Sequence, residues 1–307
     1  MASYLLRDER DNMRALLTTD GSKEATDALR AASRLLTGVD RQVDVLYVAA
    51  EPRAPKSGAI ARRAYQHRAA AETRRVLEEA KRVLAEEGVD ALTLCETGSP
   101  ASVIMRQADD YDVTVMGAKG RNVRSEVGLG PVASRIVEHA NGCVLVGREP
   151  PGDKQIRILV PVDGSAGSQH ALDALNSFFD LGSAEITLLH VLETLWLPLE
   201  PEEESLGAND PEYRQATQLL MELRREAEQL LAEARSRVLA SHPGVTISIR
   251  EGTAANEILS EADQGGYDLV VVGASEAANM KRSVLGSVSS KVAWSAPCSV
   301  LVVRVPE

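Results

Sequence analysis

The chain contains two copies of one sequence pattern, and this duplication restricts its possible folds more than any other feature. An apolar run leading into Asp-Gly-Ser occurs at residues 14–22 and again at 157–165. A second apolar run ends on Gly117 in the first copy and on Gly273, 156 positions later, in the second. Solenoid repeats are only about 20–50 residues long, so a repeat of this length indicates a duplicated domain.

Short β-branched runs alternate with helical patterns in each half, which is typical of a parallel sheet with right-handed crossovers. The strands are predicted at 14–19, 42–49, 91–96, 113–117 and 143–147, and at 156–162, 185–192, 246–250, 269–273 and 299–303. We therefore expect an α/β fold of two tandem, open-twisted, five-stranded parallel sheet domains with helices on both faces. The proline-glycine segment 148–153 places the domain boundary near 150, giving domains at 1–150 and 151–307.

Two long helical patterns carry apolar residues at steps of three and four, which predicts faces that pack on the core. These residues are Val76, Ala80 and Val83 in the first half, and Leu219, Leu223, Ala227, Leu230, Ala234 and Val238 in the second. An acidic insertion at 195–211 precedes the second pattern, and we interpret it as a solvated loop rather than a functional lid.

Composition excludes several classes of protein. The formal net charge of −11 argues against a general nucleic-acid-binding protein, which would carry a basic face. No run of eighteen apolar residues occurs and no apolar segment follows the polar start, so we expect a soluble cytoplasmic protein with no membrane partner. Cys95, Cys143 and Cys298 lack metal-binding spacing and are interpreted as buried thiols of a reducing compartment.

Polar and glycine-rich segments follow the first and fourth predicted strands of each half. In open parallel sheets, ligands bind beyond the carboxyl ends of the strands, so these segments are candidate binding loops. The first-half loop spaces its glycines as Gly117, Gly120 and Gly130 and leads into a helix predicted at 132–140. Such a loop directs free N–H groups at an anion, and the charges of Arg121 and Arg124 suit phosphate.

The whole chain resembles a tandem universal stress protein. The motifs that carry this resemblance are DGS after strand one, GSPASVI (98–104) and GTAANEI (252–258) after strand three, and LGSVSSKVAWSAPCSVLVV (285–303) at the end. The resemblance implies an adenine-nucleotide-binding fold with strand order 3-2-1-4-5 in each half. It also implies ATP or a related adenine nucleotide as the ligand, with or without Mg²⁺.

The family's nucleotide motif, Gly-x2-Gly-x9-Gly-Ser/Thr, implies binding residues in both halves. An aspartate after strand one and a valine at the end of strand two would flank the adenosine. The resulting candidates are Asp20, Val48, Gly117, Gly120, Arg121 and Gly130 in the first half, and Asp163, Val191, Gly273, Gly286, Ser287, Val288 and Ser289 in the second.

Both halves depart from this motif. The first half has Pro131 in place of the hydroxyl residue, which suits a helix start but removes an N–H donor. The second half has Glu276 in place of the second glycine. That carboxylate would repel phosphate unless it points to solvent, pairs with Lys281 or Arg282, or helps to hold Mg²⁺. At this level, binding by both halves, one half or neither stays open.

The sequence favours a nucleotide-responsive regulatory protein of the stress response over a true enzyme. No HExxH, GxSxG or Walker-type motif occurs, and we predict no catalytic residue. Ser22 and Ser165 are interpreted as helix caps, and His190 as a packed histidine. The alternatives are a nucleotide-free interaction scaffold with degenerate pockets, or a slow ATPase.

Strand five ends each half as an apolar run, and an exposed edge of this kind invites pairing. We therefore expect the two halves to pair through strand five as an internal pseudo-dimer with an approximate two-fold axis. A homodimer of the whole chain stays open as a further possibility.

Overall fold

The computed structural model describes residues 13–36, 41–49, 59–121, 128–149, 152, 155–179, 184–193, 211–239, 244–274 and 285–304. The acidic segment 195–210 and the loop residues Arg124, Glu276, Lys281 and Arg282 lie outside the described residues. None of the described helices combines the length and the apolar character that crossing a bilayer requires.

Strands and helices alternate in the same order in both halves. The first half contains β1 Met13–Thr19, α1 Lys23–Leu35, β2 Arg41–Ala49, α2 Ala59–Glu86, β3 Leu92–Thr97, α3 Pro100–Ala108, β4 Val113–Gly117, α4 Pro131–His139 and β5 Cys143–Gly147. The second contains β6 Arg157–Pro161, α5 Ala166–Phe178, β7 Glu185–Leu192, α6 Pro211–Leu239, β8 Val245–Glu251, α7 Ala254–Gln264, β9 Leu269–Gly273, α8 Ser287–Ser295 and β10 Ser299–Val303. Every predicted strand is observed with ends within one residue of the prediction.

The sheet confirms the α/β fold class and the strand order predicted for each half. Its order is β3-β2-β1-β4-β5-β10-β9-β6-β7-β8, so each half has the order 3-2-1-4-5 counted from its own first strand. Strand pairing within each half is parallel. The two five-stranded sheets are not separate, however, because β5 and β10 pair and make one ten-stranded sheet.

Helices cover both faces of this sheet, which explains why its strands are apolar on both sides. Residues of α1, α2, α5 and α6 belong to one buried cluster, and residues of α3, α4, α7 and α8 belong to the other. Leu17 joins the first cluster and its neighbour Leu16 the second, as the two-residue period of a strand requires.

The two long helices differ in how closely they follow the predicted apolar faces. Val76, Ala80 and Val83 of α2 are buried as predicted. On α6 the prediction is correct for the carboxyl-terminal part and wrong at its start, because the Leu219 side chain is 48% exposed. The helix packs on β7 and β8. Among its described side chains, the buried ones all lie in the carboxyl-terminal part: Ala227, Leu231, Ala234 and Val238.

Two of the three cysteines are buried, and the third is not. Cys143 and Cys298 are buried, whereas Cys95 on β3 is exposed, so its assignment as a buried thiol was wrong. The reason is that β3 forms an outer edge of the sheet, where part of the strand faces solvent.

The β5–β10 pair joins the halves in a self-complementary register. The strands are antiparallel, with Leu145 opposite Leu301, and Val144 and Val146 opposite Val302 and Val300. Leu301 stands 156 positions after Leu145, the same offset that relates the two glycine-ended runs. Each half therefore presents the same residues to the other, as an isologous contact does.

Candidate functional site

Two cavities lie at the carboxyl ends of the strands, one in each half. All six first-half candidate residues line a cavity of about 480 Å³: Asp20, Val48, Gly117, Gly120, Arg121 and Gly130. All seven second-half candidates line a cavity of about 170 Å³: Asp163, Val191, Gly273, Gly286, Ser287, Val288 and Ser289. The structure thus brings together every residue selected in each half.

A helix N-terminus without a side-chain cap opens into each cavity. α4 begins at Pro131 after the N-cap Gly130, and α8 begins at Ser287 after the N-cap Gly286. Neither N-cap glycine can supply a side-chain acceptor, so no N-cap side chain satisfies the first-turn N–H groups of these two helices. α1 and α5 differ, because their N-terminal N–H groups donate to the hydroxyls of Ser22 and Ser165, which confirms those residues as caps.

Asp20 ties the end of β1 to the glycine loop of the first half. Its Oδ1 accepts a hydrogen bond from the Ser22 backbone N at 2.9 Å, and its Oδ2 accepts one from the Arg121 backbone N at 2.9 Å. A Cβ at Gly120 would lie 2.7 Å from Oδ2 of Asp20. The absence of a side chain at Gly120 therefore allows the aspartate and the loop to approach each other.

Arg121 brings a cation to the cavity, and that cation is already paired. Its Nη1 lies 2.5 Å from Oε1 of Glu72, which projects from α2. The pKa of Glu72 is lowered from 4.5 to about 2, mainly by the hydrogen bond from Arg75 and next by the one from Arg121. Beside this pair, burial raises the pKa of Tyr47, which also lines the cavity.

Gly117 and Gly273 have a structural explanation that needs no ligand. A Cβ at Gly117 would lie 2.8 Å from the backbone carbonyl of Glu24 on α1. A Cβ at Gly273 would overlap the Gly167 backbone on α5. Both strands end on glycine because the next helix layer approaches their backbone closely.

Apolar side chains that the sequence analysis did not select form the inner wall of the first cavity. Leu46 and Met116 lie at the ends of β2 and β4, and Ile104 comes from α3. Lys119 adds a second cation beside the glycine loop. Leu46 and Met116 occur in strands predicted from the sequence, but only the sheet order, with β2 and β4 on either side of β1, brings them to one cavity.

The second cavity is smaller, and Asp163 and Ser289 are hydrogen-bonded to other residues of its lining. Asp163 Oδ1 accepts hydrogen bonds from the backbone N and the hydroxyl of Ser165, at 2.9 and 2.6 Å. Burial favours a raised pKa for Asp163, but the hydrogen bonds from Ser165 and Ser168 outweigh it and lower the pKa below 3.8. Ser289 donates its hydroxyl to the Gly273 carbonyl at 2.6 Å.

His190 does not contribute to either cavity. Its Nδ1 lies 2.7 Å from the Val162 carbonyl, so the ring is held against the end of β6. Among the described residues, no group of three or more His, Cys, Asp or Glu side chains could hold a metal ion.

Both the sequence and the fold of this chain are similar to those of known proteins. The model of the universal stress protein family matches residues 12–148 and 156–304. A universal stress protein of Mycolicibacterium smegmatis is 26% identical over 304 residues, covering 94% of this chain and 96% of that protein. Universal stress protein YxiE of Bacillus subtilis is 30% identical over 148 residues, covering 48% of this chain and 98% of that protein.

The arrangement of the whole chain also occurs in a solved structure. A universal stress protein from Archaeoglobus fulgidus matches with a TM-score of 0.62 at 21% identity, covering 95% of this chain and 98% of that one. This likeness concerns the fold, while the family match rests on sequence in both halves. The chain therefore belongs to the universal stress protein family, with one matched segment in each half.

Proposed function

We propose that this protein binds ATP or a related adenine nucleotide in the first-half cavity and acts as a nucleotide-responsive regulatory protein. The observation that carries the proposal is that six residues selected from sequence line one cavity of about 480 Å³. That volume falls within the range of roughly 300–1,000 Å³ found for small-molecule pockets. The second cavity, at about 170 Å³, is below that range.

The chemistry of the first cavity suits the two ends of a nucleotide. The apolar side chains of Leu46, Val48 and Met116 would accept a purine ring. The uncapped N-terminus of α4, together with Lys119 and Arg121, would attract phosphates. Both Asp20 oxygens already accept hydrogen bonds, so an accompanying Mg²⁺ would be held mainly by phosphate and water oxygens.

We propose binding rather than hydrolysis as the activity of this site. Among the described residues that line the first cavity, Asp20 is the one carboxylate, and no histidine lines it. A general base must reach the proton that it removes, and Asp20 is held by Ser22 and Arg121.

We also propose that the halves are two domains, divided near residue 150, that form an internal pseudo-dimer through strand five. Two observations support this: the antiparallel β5–β10 pairing, and the equal offset of 156 between opposing residues. Since these strands are buried against each other, the edges left for another chain are β3 and β8.

The test uses matched substitutions at the two cavity rims. Pro100 is the first residue of α3 and lines the first cavity, and Ala254 is the first residue of α7 and lines the second. We expect Pro100→Trp to abolish ATP binding, because the indole would fill the first cavity, and Ala254→Trp to retain it. A sample of each purified protein is first heat-denatured, and chromatography identifies any nucleotide that it releases. Isothermal titration with MgATP then measures the affinity of both variants.

Two outcomes contradict the proposal. Wild-type protein that is purified without nucleotide and shows no heat in the MgATP titration would instead be an interaction scaffold. Loss of binding in Ala254→Trp, with full binding in Pro100→Trp, would move the site to the second half.

A further inference from the structure

The second half of the chain holds both ends of the segment that forms the nucleotide cavity of the first half. This segment, here called the cradle segment, runs from Gly128 through α4. Its carboxyl end contacts Arg304, and its amino end contacts Trp294. Both contacting residues come from the second half, although neither of them lines the first cavity.

Arg304 satisfies the carbonyl groups that end α4. Its Nη2 donates to the carbonyls of Val137 and Glu138, at 2.6 and 3.1 Å. The last carbonyls of a helix have no partner within the helix, and a cation there also complements the helix dipole. The arginine is only 3% exposed, so solvent competes little for these hydrogen bonds.

Trp294 fixes the backbone just before α4. Gly128 has φ +93°, and a Cβ at this position would lie 2.5 Å from Nε1 of Trp294. Two residues later, the Gly130 N–H donates to the Ala118 carbonyl at 2.8 Å and α4 begins. The indole therefore packs on the backbone just before α4, whose N-terminal N–H groups face the cavity.

Among the described residues, the reverse support from the first half to the second shows one of these two parts, the arginine. Arg148 is equivalent to Arg304 and donates to the carbonyls of Ala293 and Cys298, at 2.7 and 2.8 Å. The position equivalent to Trp294 is occupied by Glu138, which is exposed. The two arginines are thus reciprocal, whereas the first half has no aromatic residue at the position equivalent to Trp294.

We propose that Arg304 and Trp294 are positioning residues for the first-half nucleotide site, so that the second half orients the cradle segment. The inference rests on the proposed function, because it concerns the same cavity. α4 has nine residues and spans about 14 Å at 1.5 Å per residue. Holding its far end therefore controls where its N–H groups point.

The experiment compares Arg304→Met with a control, Arg157→Met, in the full-length chain. Arg157 also donates to a carbonyl at a helix end, that of Gly265 after α7, but its strand β6 is separated from β5 by two strands. We expect MgATP affinity to fall about fivefold in Arg304→Met, a coupling of ordinary size, and to stay unchanged in Arg157→Met. Arg304→Lys should be intermediate, because it keeps the charge but loses the planar donor group. Trp294→Ala should weaken binding to a similar degree.

The outcomes separate this inference from the proposed function. Failure of the wild type to bind MgATP rejects the function itself. If the wild type binds, equal affinities in Arg304→Met and Arg157→Met, whether both are unchanged or both reduced, reject the positioning role. If Arg304→Met does not fold, Trp294→Ala decides, because Trp294 is 44% exposed and its removal opens the site to solvent without leaving an enclosed cavity.

Fluorescence provides a second measurement that a merely structural role would not affect. The chain has two tryptophans, so Trp196→Phe leaves Trp294 as the only tryptophan, and selective excitation of indole separates its emission from that of the tyrosines. MgATP should then change the emission, because the cradle segment lies against the indole. Unchanged emission at saturating MgATP would contradict the proposal.

Discussion

At the scale of single residues, the first cavity contains a cation whose charge is shared with a carboxylate. Arg121 would attract phosphate, but Glu72 lies 2.5 Å from its Nη1. Both side chains are about one-third exposed, so water and salt weaken the pair. An incoming phosphate would therefore compete with Glu72 for the guanidinium group, and the pair sets part of the binding affinity.

Removing the carboxylate should strengthen nucleotide binding. We expect Glu72→Gln to raise MgATP affinity about two- to fivefold, which corresponds to the worth of an exposed ion pair. Arg121→Gln should lower the affinity, because it removes the cation. Isothermal titration of the two variants at one ionic strength measures whether MgATP affinity rises in the first and falls in the second. Weaker binding by Glu72→Gln would show instead that Glu72 positions Arg121.

The same pair predicts how binding responds to pH. Because the pKa of Glu72 is lowered from 4.5 to about 2, the ion pair contributes fully above pH 4.5 and is lost as the pH falls toward 2. Between pH 6 and 8, the ratio of affinities of Glu72→Gln and wild type should therefore be constant. A ratio that changes within this range would mean that another group controls Arg121.

Residues that follow strand ends could be predicted from the sequence, and their partners from distant helices could not. Asp20 and Gly120 were identified because a strand period and a glycine spacing are local features. Glu72 lies on α2, 49 positions before Arg121, and joins the site only through the packing of α2 on the sheet. Trp294 and Arg304 were not predicted for the same reason, since their contacts depend on the β5–β10 register.

At the scale of elements, the glycines of one loop have different tasks. Gly117 allows α1 to approach the end of β4, since a Cβ there would meet the Glu24 backbone at 2.8 Å. Gly120 allows Asp20 to approach the loop, and here the neighbour is a side chain. The family resemblance implied that all of these glycines contact the ligand, because the approach of a helix layer leaves no local mark in the sequence.

This difference can be measured with two alanine substitutions. Gly117→Ala should reduce the free energy of unfolding by about 1–3 kcal/mol, because the backbone of α1 must shift. Gly120→Ala should cost less stability, yet weaken MgATP binding, because Asp20 would be displaced from the Arg121 N–H. Urea denaturation and titration of both variants test the assignment, and equal loss of stability in the two would contradict it.

At the scale of the whole molecule, one sheet makes the two halves a single structural unit. β5 and β10 are buried at the centre of ten strands, and Leu145 and Leu301 face each other there with no exposed surface. A duplicated sequence predicts two sheets, and the apolar run at strand five of each half predicts that their edges meet. That follows from the physical cost of leaving two apolar edges unpaired.

We therefore expect the chain to unfold in one cooperative transition rather than two. Leu145→Ala should lower the free energy of unfolding by about 2–5 kcal/mol, because it leaves a cavity between the halves. Urea titration with hydrogen exchange followed in β2 and β7 should show both strands destabilised together. Leu92→Ala is the control, since that leucine lies on the edge strand β3 and is 62% exposed. Loss of protection in β2 alone would show that the halves unfold independently, despite sharing a sheet.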